Sequence, residues 1–149
     1  MFFTHLIVGC FIISFTVVIH ALALDRLVLT LEKIGPPIYR VFHRHWKVPL
    51  LIITVLGVFL AHIVEIWAWA TLYFLFEPDV LTTFENALYF STVTFTTVGY
   101  GDIVLTPQWR LLSSFEAANG FLLFGWSTAF IFDIISKLYR DDKIEKREK

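Results

Sequence analysis

Three long apolar stretches limit how this chain can fold: residues 2–24, 48–76 and 111–136. Each exceeds the roughly 20 residues that an α-helix needs to cross the ~30 Å hydrocarbon layer of a bilayer. Composition points the same way, because 17% of the residues are charged, whereas soluble domains carry about 25%. A fourth apolar stretch, residues 84–95, is too short to cross, and a glycine-bearing segment follows it directly. Irregular backbone at membrane depth finds no water for its N–H and C=O groups, so protein must enclose it. The expected fold is an all-α membrane protein with three transmembrane helices, plus a short re-entrant helix and loop.

The first stretch ends near Ala21-Leu22-Ala23, which looks like a signal-cleavage site. No Lys or Arg precedes it and the run is long for a signal core, which favours a retained helix. Basic residues give the orientation. Arg26, Lys33, Arg40, Arg44 and Lys47 lie between the first two spans, and Lys137, Arg140, Lys143, Lys146, Arg147 and Lys149 follow the third. Between the second and third spans Arg110 stands against Glu77, Asp79, Glu85 and Asp102. The positive-inside rule then puts the linker and C-terminus in the cytoplasm and the N-terminus outside, in a multi-pass protein of the cell (inner) membrane.

The organisation expected is a transmembrane helix over 1–24, an interfacial linker over 25–47, a module over 48–136 and a charged tail over 137–149. Leu27, Val28, Leu31 and Ile34 recur at helical spacing, which predicts a short surface helix ended by Gly35-Pro36-Pro37. The run His43-Arg44-His45-Trp46-Lys47 fits anchoring at the inner interface, not nucleic-acid binding. Trp67, Trp69 and Tyr73 are expected to anchor the outer end of the second span. Within the module the reading gives an outer helix over 48–76, a short helix over 83–95, a loop over 96–102 and an inner helix over 110–136. Thr82 and Glu85 have capping-box spacing at the start of the short helix. Its C-terminal dipole end would favour a cation.

The loop reads Thr96-Thr97-Val98-Gly99-Tyr100-Gly101-Asp102. Four such loops can point their carbonyls at one axis and replace the water shell of a potassium ion. Glycines suit the backbone angles this requires. The segment resembles the selectivity filter of the potassium channel superfamily, and residues 48–136 resemble its pore module. The resemblance is to small bacterial two-transmembrane pore proteins (ion channel 2 type), here with one extra helix in front. It implies a homotetramer in a lipid bilayer, with potassium ions as the only cofactor and no organic group.

By that resemblance the carbonyls of Thr97, Val98, Gly99 and Tyr100 and the Thr97 hydroxyl bind K+, while Gly101 completes the outer mouth. Asp102 sits behind the filter and accepts a hydrogen bond from Tyr89 on the short helix. Val93 stands where some relatives carry a glutamate. Gly120 falls where relatives have a gating hinge, and Gly125 is a second candidate; close helix packing is the alternative. Phe124, Thr128 and Phe132 recur every four residues. The family puts that stripe on the cavity and pore axis, with Phe132 as a hydrophobic constriction. The alternative is lipid-facing or core phenylalanine.

Three ionisable residues at membrane depth need partners: His62, Glu65 and Glu116. His62 and Glu65 share a helix face at i,i+3. The reading favours one hydrogen-bonded cluster of all three bracing the filter, with at least one carboxyl protonated, over a metal site.

The function expected is passive, potassium-selective conduction. A non-selective cation channel is the nearest alternative, though it would usually show a broken filter. A potassium transporter component would string degenerate loops on one longer chain, and a non-conducting subunit would not need every filter residue. No catalytic triad, metal-ligand spacing or phosphate loop marks an enzyme. A regulatory partner is left open.

Overall fold

The computed structural model describes residues 2–145; Lys146, Arg147 and Lys149 of the tail lie outside the described residues. The described residues form four α-helices: α1 (Phe2–Phe42), α2 (Lys47–Phe76), α3 (Phe84–Phe95) and α4 (Arg110–Glu145). Among the described residues there is no strand. Three of the helices, α1, α2 and α4, are long and apolar enough to cross a membrane. Large apolar side chains point outward along all three, among them Phe11, Phe59, Leu60, Leu75, Phe121 and Leu122. Lipid or neighbouring chains must cover such a surface.

The linker differs from the sequence expectation. Gly35-Pro36-Pro37 does not end a short surface helix, because α1 continues unbroken through both prolines to Phe42. Proline's fixed φ is compatible with a helix; what is lost is the N–H donor. Two backbone bonds go missing, and the turns on either side carry the helix on. The break comes instead at His43, whose φ of +46° leaves the right-handed region. A single 3₁₀ turn, His43–His45, then leads into α2.

The helices form two compact units. The first combines α1 up to His20 with residues 61–124. Its core holds Trp69 and Tyr73 from α2, Phe95 from α3, Leu112 from α4, and Leu81, all fully buried. Trp69 and Tyr73 are therefore not outer anchors: they lie on the α2 face that also carries His62, Glu65 and Ile66, whereas Trp67 is half exposed. From α1 the residues His5, Gly9, Ile12, Thr16 and His20 turn inward, three or four apart as one helical face requires. Gly9 is small because a Cβ there would meet the Phe115 ring at 2.5 Å.

The second unit combines residues 21–60 with the chain from Gly125 onward. Leu24, Leu27 and Leu31 pack with Leu50, Val58 and Ile134. A Cβ at Gly57 would meet Leu27 at 2.7 Å, which explains the glycine. The Lys47 ammonium lies 4.2 Å from the Tyr139 ring centroid, so this buried lysine is held by a cation–π contact.

Candidate functional site

The short helix α3 starts at a true cap. Thr83, in extended conformation, accepts a hydrogen bond from the Asn86 amide at 3.1 Å. The cap is thus one residue later than the Thr82–Glu85 pattern suggested. Ala87, Phe90, Ser91 and Phe95 form its buried face. At its other end the Thr96 amide and hydroxyl both bond the Thr92 carbonyl, at 3.1 and 2.7 Å. The Thr97 amide reaches the Thr94 carbonyl at 2.9 Å, and the Gly99 amide reaches the Val93 carbonyl at 3.0 Å. The segment after α3 is therefore tied to the last turns of that helix.

Backbone hand alternates along this segment. Thr97, Gly99 and Gly101 have φ of +61°, +52° and +78°, while Val98 and Tyr100 between them do not enter that region. A uniformly extended strand points successive carbonyls to opposite sides; reversing the hand at every second residue turns them to one side. Glycine tolerates this, but Thr97 is β-branched and the left-handed region costs it about 1–2 kcal/mol. Strain of this kind concentrates at functional sites. Val98 and Tyr100 are 53% and 72% exposed, so the side chains of the segment have no cover within one chain.

Behind the segment, the Tyr89 hydroxyl donates to Asp102 Oδ2 at 2.8 Å. That hydrogen bond is the main cause raising the Tyr89 phenol above its ordinary pKa. A second clamp holds the far side of the loop: the buried Glu77 carboxylate accepts hydrogen bonds from the Thr106 hydroxyl and amide.

The buried polar residues divide differently from the single cluster expected. Glu65 is shared by two imidazoles, His20 Nδ1 at 2.7 Å and His62 Nδ1 at 2.9 Å. Glu116 belongs elsewhere: Ser91 Oγ lies 2.5 Å from its Oε1 and 2.9 Å from the Ile66 carbonyl. One serine proton cannot serve two acceptors, so the chain is satisfied when Glu116 donates to Ser91 and Ser91 donates to Ile66. Tyr73 interacts with Glu116, yet Tyr73 Oη and Glu116 Oε2 make no hydrogen bond of good geometry. Asn119 Nδ2 donates to Thr16 Oγ1 at 2.7 Å. Sequence reasoning missed His20, Thr16 and Ser91. For the first two a signal existed: on an aliphatic membrane helix they share one stripe with Gly9.

Gly120 lets α4 approach the end of α3, for a Cβ there would collide with the Phe95 carbonyl oxygen. Nothing lies near a Cβ at Gly125. Phe124 is half-buried, with its ring 4.6 Å from His62 and 5.6 Å from Phe95. In the second unit Thr128 and Phe132 are both exposed, Phe132 by 70%.

A family model described as "Ion channel" matches residues 61–137, just over half of the chain. No match to the chain was found among curated proteins or among solved structures. The matched stretch runs from the buried face of α2 through α3 and the alternating-hand segment to α4. With three membrane-length helices among the described residues, the chain belongs to the ion channel family, as a multi-pass membrane protein with a potassium-channel-type pore module.

Proposed function

We propose that four copies of this chain surround one pore and conduct potassium passively and selectively. The observation that carries this reading is the alternation of hand at Thr97, Gly99 and Gly101. It suits carbonyls of Thr97, Val98, Gly99 and Tyr100, with the Thr97 hydroxyl, stacked as rings of oxygen along a four-fold axis. Gly101 then forms the outer mouth and the Tyr89–Asp102 bond stiffens it. One chain supplies one such strand and leaves its side chains uncovered, which favours closed rotational symmetry. In this assembly the outer mouth faces the cell exterior and the C-terminus lies in the cytoplasm. Thr128 and Phe132, exposed in the single chain, are the residues proposed for the cavity and its hydrophobic constriction. Potassium is the ligand, and the architecture asks for no organic cofactor.

The test is a flux assay in liposomes with potassium or sodium as the permeant ion, run on the wild type and on Gly99→Ala. The wild type should pass potassium far faster than sodium and run as a tetramer in detergent. Gly99→Ala adds a Cβ at a left-handed residue and should abolish selective flux. Equal sodium and potassium flux in the wild type, or selective flux retained by the variant, would overturn the assignment.

A further inference from the structure

We propose that His20, His62 and Glu65 form a zinc-type divalent metal site that fastens α1 to α2. Two imidazoles and one carboxylate are the donor set of three-ligand zinc sites, which leave a fourth position for water. All three residues are buried, and their ligand atoms lie within 4.8 Å of one another. Both imidazoles aim Nδ1 at the same carboxylate, at 2.7 Å to Oε1 and 2.9 Å to Oε2. Ligands at zinc bond lengths of ~2.0–2.1 Å sit roughly 3.3 Å apart around a tetrahedron. Admitting the ion means opening the two imidazole–carboxylate contacts by about half an ångström and drawing any pair separated by up to 4.8 Å inward, both by side-chain rotation.

The placement also follows a pattern used in helical bundles. His62 and Glu65, at i,i+3, project from one face of α2, the spacing by which a single helix supplies a histidine and a carboxylate to an interior metal. His20 closes the site from α1, 45 residues away in sequence. The ion would carry one net positive charge after Glu65 is counted. Phe95, the last residue of α3, lies against His62 with ring centroids 5.9 Å apart. The negative end of that helix dipole is therefore close enough to offset the charge. An ion at this position locks the first helix to α2 beside Phe95, the residue that precedes the 96–102 segment.

The experiment is metal analysis of the detergent-purified assembly, expressed with added zinc and washed free of loose metal. The wild type should retain about one zinc per chain, and Co2+ loaded in its place should give the visible absorption of a low-coordinate cobalt site. Zinc should fall at least ~10-fold in His20→Gln and in Glu65→Gln, as expected when one of three protein ligands is lost. The cobalt spectrum uses the unmutated protein, so a variant that fails to fold does not decide the matter. A wild type that retains no zinc and gives no cobalt band overturns the proposal, as does unchanged zinc in the His20→Gln assembly. Neither readout depends on which ion the pore selects.

Discussion

Gly120→Ala places a methyl group where the Phe95 carbonyl oxygen already sits. That neighbour is backbone at the end of α3, and it is also the residue before the Thr96–Thr92 bonds that launch the alternating segment. A flexible side chain could rotate away; a helical carbonyl cannot. Overpacking of this kind costs about 1–3 kcal/mol, and a backbone clash belongs at the upper end. Replacing glycine within a helix returns about 1 kcal/mol. The net cost is then about 2 kcal/mol per chain, a melting temperature roughly 4–8 °C lower. Gly125→Ala is the internal control, because nothing lies near its Cβ and only the helix-propensity gain remains. Thermal unfolding in detergent should rank Gly125→Ala at or above the wild type and Gly120→Ala clearly below it, with selective flux lost alongside. A hinge at Gly120 requires another ordering, with altered gating and little change in melting. Gly120→Ala melting with the wild type would refute the close approach of α4 to α3.

Tyr89→Phe removes the donor to Asp102 and should reduce potassium-over-sodium selectivity in flux assays. The Tyr89 pKa is raised, chiefly by that bond, so the contact is fully present below the ordinary tyrosine value of about 10 and is lost as pH climbs through the raised one. An ultraviolet titration of wild type minus Tyr89→Phe should accordingly show a tyrosinate appearing only above pH ~10. Glu116→Gln keeps a hydrogen for Ser91 and should leave the melting temperature nearly unchanged. Glu116→Leu removes that hydrogen bond beside the buried Tyr73 hydroxyl and should cost about 1–3 kcal/mol, read by the same melt.

The spans were legible because apolar length is set by bilayer thickness, and neither depends on tertiary detail. α2 was expected over 48–76 and runs Lys47–Phe76; α4 was expected over 110–136 and begins at Arg110 but runs on to Glu145, into the stretch expected as a charged tail. The local misreadings have equally physical causes. Thr82 and Thr83 are both competent caps by residue type, and the choice of the second, one residue beyond the pattern, is made by where the chain turns into α3 after the buried Leu81. The double proline reads as a stop by its missing N–H donors, whereas its fixed φ is compatible with the helix that passes through it. Trp69 and Tyr73 looked like interfacial anchors because that preference belongs to exposed aromatics, and periodicity from Glu65 and Ile66 shows that their face is the buried one.

Among the polar residues, legibility followed sequence separation. His62 and Glu65 are three residues apart and their pairing is a property of any helix. Ser91 and Glu116 are 25 apart, His20 and Glu65 are 45 apart, and Thr16 and Asn119 are 103 apart. No local rule can choose those partners, so Glu116 was assigned to the wrong group. One general argument reaches part of the way. A polar side chain on a membrane helix must face protein, so the stripe through His5, Gly9, Thr16 and His20 marks an interface even when its partner is unknown. Its partners prove to be Asn119 on α4 and Glu65 on α2. The first turns of the chain are thus hydrogen-bonded into the same unit that carries the 96–102 segment. An added helix held only by lipid-like packing could be dropped at little cost. One whose removal takes away one of the two imidazoles on buried Glu65 and the hydroxyl acceptor of the buried Asn119 amide cannot, because a buried group left short of a partner costs more than the hydrogen bond it once made.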